Sequence, residues 1–222
     1  MRHKKGEIAM DEAANVFKKN YEEYCTQIEK IDFESIEQTL GIINHKEGYL
    51  IPFFDEEIQI LDKQILDLQG NRPDYIISVI IAKYILLCPE EPKIIDGWAS
   101  FKDFKKEANF ISTSAFSADT ERRIAKHFSS RLNELNNACE KSGGLQHELG
   151  TSYDLAMTFN ALPRISVLLL FNDSDDEFPA KCTLLFQKHA EYYLDPESLI
   201  MTIGFLFKML KRNDRDNAAP DV

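Results

Sequence analysis

The chain has 222 residues, 44% of them hydrophobic and 11% aromatic, which is enough apolar material to fill a core. Its formal charge of −11, from 37 acidic against 26 basic residues, argues against a general nucleic-acid or anionic-membrane binder, since both need an electropositive surface. No apolar run approaches the roughly 20 residues of a membrane span.

Taken in order, the chain opens on "MRHKKGEIAMDEAANVFKKN", where basic residues are followed by acids instead of an apolar stretch. This is not the pattern of an export signal, so the cytoplasm is the expected compartment. From about Met10 to Ile31, Ala13, Val16 or Phe17, Tyr21, Tyr24 and Ile28 recur every three or four residues and predict a helix. "FESIEQTLG" reads as a second, short helix stopped by Gly41. In "GYLIPFFDEEIQILDKQILDLQGNRP" the alternation of Tyr49, Ile51 and Phe53, then of Ile58 and Ile60, predicts a β-hairpin, with a further extended piece around Ile65–Leu68. Pro73 and Asp74 suit a helix start, and Ile76, Ile77, Ile80, Ile81, Tyr84, Ile85 and Cys88 make that helix apolar on more than one face, hence central. "IIDGWASFKDFKKEANF" is mixed: Trp98, Phe101, Phe104 and Phe110 are expected to line a lid, with Lys102, Lys105 and Lys106 facing water. One helix is predicted over about Ala118–Lys141, on the stripe Ile124, Phe128, Leu132 and Leu135, and "YDLAMTFNALP" reads as a short helix ended by Pro163. "ISVLLLFN", Ile165 to Asn172, is apolar on both faces and predicts a central strand, with "AKCTLLFQ", Ala180 to Gln187, as its antiparallel partner. Asp195-Pro196-Glu197 starts a last helix through Leu199, Ile203, Leu206 and Leu210, followed by a frayed tail. No internal repeat or linker divides the chain. The expectation is one α+β domain over 1–222, mainly antiparallel sheet packed against several helices, with a core over about 10–212 and a disordered tail at 213–222.

Chemistry-bearing patterns are few. Cys25, Cys88, Cys139 and Cys182 lie more than forty positions apart with no C-x-x-C pair, so reduced, largely buried thiols are expected and no metal site. The histidines show no H-E-x-x-H spacing, and neither a phosphate loop nor a G-x-S-x-G elbow is present. What stands out is "NDSDDEFPAKC", a bend with Asp173, Asp175, Asp176 and Glu177 ahead of Phe178 and Pro179. It begins like a calcium loop, but Phe178 stands where the turn glycine belongs and Leu184 where the bidentate Glu belongs. As a plain connection it solubilises the tip of two apolar strands. As a site it is a pocket rim, borrowing Trp98, Phe101 and His189, the last beside Tyr192 and Tyr193, which would frame a bound ring or a haem edge.

The stretch "LPRISVLLLFNDSDDEFPAKCTLLFQKHAEYYLDPESL", together with "GWASFKDF" and "YDLAMTF", resembles the prokaryotic family catalogued as domain of unknown function 3786, from about Asn15 to Leu210. Leu162-Pro163-Arg164, the acid-rich turn and Glu177-Phe178-Pro179-Ala180 carry most of the resemblance. Where such proteins usually show an acid after "LLF", this chain has Gln187. The family has no settled activity. Some relatives join an iron–sulfur module of the kind seen in corrinoid methyl-transfer proteins of anaerobes, and the resemblance therefore implies corrinoid, metal-cofactor or methyl-group metabolism. The expectation drawn from residues and resemblance together is a cytoplasmic accessory protein that binds a small-molecule cofactor of unknown identity or a protein partner, with no nucleic acid and no membrane. The expected ligand-binding residues are Trp98, Phe101, Arg164, Asp173, Asp176, Glu177, Phe178 and His189. Two alternatives stand beside it: an enzyme in which Arg164 fixes a small anionic substrate while a carboxylate of the bend moves a proton, and a structural interaction module.

Overall fold

Six helices and two antiparallel sheets make up the described part of the computed structural model, residues 16–46, 48–104, 111–148 and 153–218. The expected start of the first helix near Met10, the residues Lys105, Lys106 and Phe110, and positions 219–222 lie outside the described residues. The first helix, α1 (16–28), is followed by α2 (Phe33–Leu40), which ends at Gly41 in the left-handed conformation, φ 69°, that a C-terminal cap favours.

The first sheet is a meander of β1 (Ile43–His45), β2 (Gly48–Phe53), β3 (Glu56–Leu61) and β4 (Gln64–Asp67) in sequence order. The predicted hairpin and third extended piece are present, and β1 is an additional edge strand. Alternation sends Ile51, Phe53, Ile58, Ile60 and Ile65 into the core. The Asp62-Lys63 turn between β3 and β4 holds both residues at positive φ, as a two-residue hairpin loop requires. Asp74 then caps α3 (Tyr75–Leu86) by accepting from the Ile76 N–H at 2.9 Å, and eight residues of that helix are buried.

In the second sheet the order is β5 (Trp98–Ser100), β9 (Lys181–Gln187), β8 (Ile165–Asn172), β7 (Leu155–Leu162), β6 (Leu145–Gln146). The two-sided apolar strand β8 is central. Its odd residues Val167, Leu169 and Phe171 join the main core cluster; Leu168 and Leu170 are buried on the opposite face, outside that cluster. The two sheets are tied by main chain. A bulge between Asn160 and Leu162 leaves the Ala161 carbonyl outside the β7–β8 ladder, and it accepts from the Phe54 N–H at 3.1 Å.

Four expectations need correction. "YDLAMTFNALP" is not a helix but strand β7: Leu155, Met157 and Phe159 are buried while Asn160 is exposed, a period of two, and Pro163 belongs to the turn into β8. The single helix of 118–141 is two, α4 (Ile111–Phe128) and α5 (Leu132–Lys141), broken where Ser130 adopts φ 60°. Phe101 and Phe104 line no lid; both are buried, Phe104 packing on Phe186 of β9. Finally α6 (Pro196–Ala218) runs past the expected tail boundary and buries Asn213 and Asp214.

Helix α6 packs against α3, α4 and α5. Toward its middle Phe205 packs on both Phe53 and Phe54, with ring centroids 5.0 and 5.8 Å away. Near its end Asp214 takes both Arg131 terminal nitrogens, at 2.7 and 3.2 Å, and His127 Nε2 at 2.8 Å, while Asn213 donates to Ser142 Oγ. Burial alone raises the Asp214 carboxyl, but these hydrogen bonds outweigh it and hold it below the usual carboxylate range. On the other side of α4, Glu121 accepts from the Leu184 N–H at 2.8 Å, covering the part of β9 that β5 does not reach. No described helix is long and apolar enough to cross a membrane.

The Asp214 geometry predicts that Asp214→Ala lowers unfolding free energy by about 2–3 kcal/mol at neutral pH, because it strands Arg131 and His127. With a depressed folded-state pKa, the contribution is present above the unfolded value of about 4 and lost as pH falls through the folded value. Urea unfolding of both proteins should therefore show the gap at pH 7 and its closure in strong acid.

Candidate functional site

The acidic bend holds its carboxylates on the backbone. Asp173 Oδ1 accepts from the Ser130 N–H at 2.6 Å and from the Ser174 N–H at 2.7 Å, so it stabilises the left-handed break between α4 and α5. Asp175 Oδ1 accepts from the N–H groups of Glu177 and Phe178 at 2.8 and 2.7 Å, the local closure that aspartate offers in tight turns. Asp154 in turn accepts from the Asp173 N–H. Asp173 and Phe178 line a shallow concavity of about 530 Å³ with Asp154, Asn172 and Lys181; Asp176 and Glu177 are exposed and do not. Phe178 is 66% exposed.

The other sequence candidates sit elsewhere. β8 spans eight residues, about 25 Å. Arg164 precedes its first residue and Asp173 follows its last. Arg164 spends its guanidinium on the carbonyls of Thr39 and Gln38 at 3.0 and 2.6 Å, clamping the end of α2. It therefore stands a strand's length from Asp176 and Glu177, too far for one small substrate to touch both. Trp98 pairs with Gln187 at that same far end and meets the His147 ring edge-on at 5.7 Å. The Gln187 amide oxygen accepts from the Ser166 N–H. His189 is buried, its Nδ1 3.1 Å from the Ile95 N–H, and Tyr193 both accepts from and donates to the backbone of Lys93, so the two side chains pin the segment leading to β5. Trp98, Arg164 and His189 thus share one end of the second sheet, the bend occupies the other, and Phe101 is core.

A larger concavity lies where the sequence suggested none. Helix α6 forms its floor, with α4 and the β4–α3 connection as walls, enclosing about 910 Å³. Six cations line it: Arg72, Arg123, Lys208, Lys211, Arg212 and Arg215, against Glu56, Asp67 and Asp74. Gly204, Lys208, Lys211 and Arg215 stand four, three and four positions apart and so form one stripe of the helix. The acids are largely committed. Asp67 accepts from the Gln69 and Asn71 N–H groups, and Asp74 caps α3 and pairs with Lys208 at 3.0 Å. Burial tends to raise the Asp74 carboxyl, yet the Ile76 and Lys208 hydrogen bonds hold it low; burial and then Asp55 push Glu56 up. Arg212 pairs with Asp55 at 3.3 Å, and Arg72 lies 3.5 Å from the Tyr21 ring centre. Lys211 and Arg215 make no ion pair among the described residues; the Lys211 ammonium stands 5.6 Å from the Phe207 ring centre.

Two antiparallel sheets with helices, one sheet carrying the Pro163-Arg164 turn and the acidic bend at opposite ends of its central strand, define an α+β protein with a cationic concavity along its last helix. A family model described as "Domain of unknown function (DUF3786)" matches residues 32–209, so the chain belongs to that family. The matched span includes Gly204 and Lys208, while Lys211, Arg212 and Arg215 follow it. No curated protein and no solved structure matches the chain.

Because Asp173 serves Ser130 while Asp176 and Glu177 make no side-chain bond among the described residues, Asp173→Ala is expected to cost about 1–2 kcal/mol of stability. Asp176→Asn and Glu177→Gln should stay within about 0.5 kcal/mol of the parent. Denaturant midpoints of the three variants check this.

Proposed function

We propose that this protein is a cytoplasmic binding accessory rather than a catalyst, and that it holds an anionic ligand in the α6 cleft. The observation that carries the reading is charge placement. In a chain of net charge −11, six of 26 basic residues converge on one concavity. Three of them, Arg72, Lys211 and Arg215, are left without a carboxylate partner among the described residues. Cations gathered against the overall field raise self-repulsion, and an anionic ligand removes that penalty. Arginine forks supply the planar, two-point contacts that suit phosphate and carboxylate groups. The volume lies within the range of about 300–1,000 Å³ usual for small-molecule sites. The corrinoid and methyl-transfer setting implied by the family resemblance accommodates such a carrier, so a corrinoid belongs among the compounds screened. In this proposal the 172–180 bend has a structural part, and the enzyme alternative loses support because Arg164 and the bend's acids stand apart.

The test is a melting-temperature screen at low ionic strength with pyrophosphate, citrate, a corrinoid, and spermine as the cationic control. Pyrophosphate and citrate should raise the melting temperature, added salt should erase the gain, and spermine should give none. The Lys211→Ala/Arg215→Ala double variant should fold and bind these anions about tenfold more weakly or worse. Unchanged melting with every anion, or a double variant that binds as the parent does, would refute the assignment.

A further inference from the structure

We infer that Gly204 is the contact floor of the cleft, and that its ligand is an elongated phosphorylated small molecule: an uncharged portion lies on bare helix backbone at Gly204 and the phosphate end reaches Lys211 and Arg215. This rests on the anion-binding reading above and adds to it a position and a ligand shape. Gly204 lies well inside α6, between the buried Ile203 and Phe205, and is itself exposed to the cleft. A helix interior penalises glycine relative to alanine, since glycine surrenders more backbone freedom on ordering. Helical glycines usually answer a neighbour that leaves no room for a Cβ, or a backbone angle that side chains avoid. Neither holds among the described residues: a Cβ built at Gly204 meets no atom of theirs within 4 Å, and its φ is not in the left-handed range. The protein's own packing therefore supplies no reason for the missing side chain. A molecule resting on the helix does.

The dimensions select the class. Lys211 stands about 10 Å and Arg215 about 16 Å along the helix from Gly204. A compact anion such as pyrophosphate held between Lys211 and Arg215 does not extend to the glycine. A nucleoside diphosphate, or a phosphorylated metabolite of similar proportions, spans both, and the half-buried Pro73 offers apolar wall beside Asp74 for the uncharged portion. Phe205 and Phe207 do not serve as stacking platforms, being 4% and 6% exposed.

The experiment is calorimetric titration of the full chain with ADP and with pyrophosphate, together with melting curves without ligand, for the parent, Gly204→Ala and Lys211→Ala/Arg215→Ala. Gly204→Ala should melt about 2–4 °C higher, because it replaces an unfavourable helix residue. It should bind ADP about tenfold more weakly while keeping its pyrophosphate affinity within about twofold, and the double variant should lose both ligands. A lower melting temperature for Gly204→Ala shows that folding requires the glycine and overturns the inference, as does unaltered ADP binding. If the double variant loses both anions and Gly204→Ala loses neither, the cleft still binds anions and only the contact at Gly204 falls. If the parent binds neither ADP nor pyrophosphate, the anion-binding reading falls first. A hexaglutamate peptide that binds more tightly than ADP overturns the small-molecule class.

Discussion

The pairing of Asp214 with Arg131 and His127 is the constraint on which the rest of the arrangement depends. A carboxylate inside a helix of an acidic protein would ordinarily face water. Here it is buried, and the end of α4 and the residue ahead of α5 bring the His127 ring and the Arg131 guanidinium to it. Ionised and paired, it holds the far part of α6 against α4 and α5, while Phe205 anchors the middle on Phe53 and Phe54 of the first sheet. A long helix fixed at two places cannot rotate about its axis. The face that carries Gly204, Lys208, Lys211 and Arg215 is therefore presented in one orientation, opposite Arg123 and the Arg72-Pro73-Asp74 connection. Tertiary charge pairing thus sets up the surface, and local helix propensity only permits it.

The acidic bend shows how a dense group of carboxylates can be absorbed by architecture. Asp173 supplies the acceptor that a left-handed serine needs at the α4–α5 break, and Asp175 closes the bend on itself. Because β8 is central, whatever holds its end also fixes the helices above it. Asp173 and Asp175 are thus explained by backbone N–H groups that need acceptors, while Asp176 and Glu177 stay exposed. At the other end of the sheet, Arg164, His189 and Tyr193 do the same with carbonyls and amides of the connecting segments.

Much of the fold was legible in the residues. Two-sided apolarity made "ISVLLLFN" a central strand, and Pro73 with Asp74 marked the start of a helix whose isoleucines cover more than one face. The family resemblance rested on the turn at Pro163-Arg164 and the bend at 172–180, both of which are real features. The failures have physical causes. In "LAMTFN" the buried residues alternate, but alanine, methionine and leucine also favour helices, so the wrong period was read. Ser129-Ser130 breaks a helix because a partner 43 positions away stabilises Ser130, a long-range effect no local pattern reveals. The C-terminal segment was read as frayed because Asn213, Asp214 and Arg215 look solvated; the partners that bury Asp214 lie more than eighty positions earlier. Once α6 is extended to Ala218, the spacing of Gly204, Lys208, Lys211 and Arg215 is a plain helical stripe.

The join between the two sheets has a consequence of its own. The N–H of residue 54 and the carbonyl of residue 161 are main-chain groups that any non-proline residue supplies, so this bond itself does not depend on the side chains beside it. Mutational drift on either layer can proceed without unfastening them, provided the extra residue in β7 is neither lost nor doubled. Insertions and deletions near Asn160–Leu162, more than replacements, are what this architecture should resist across descendants of a common ancestor.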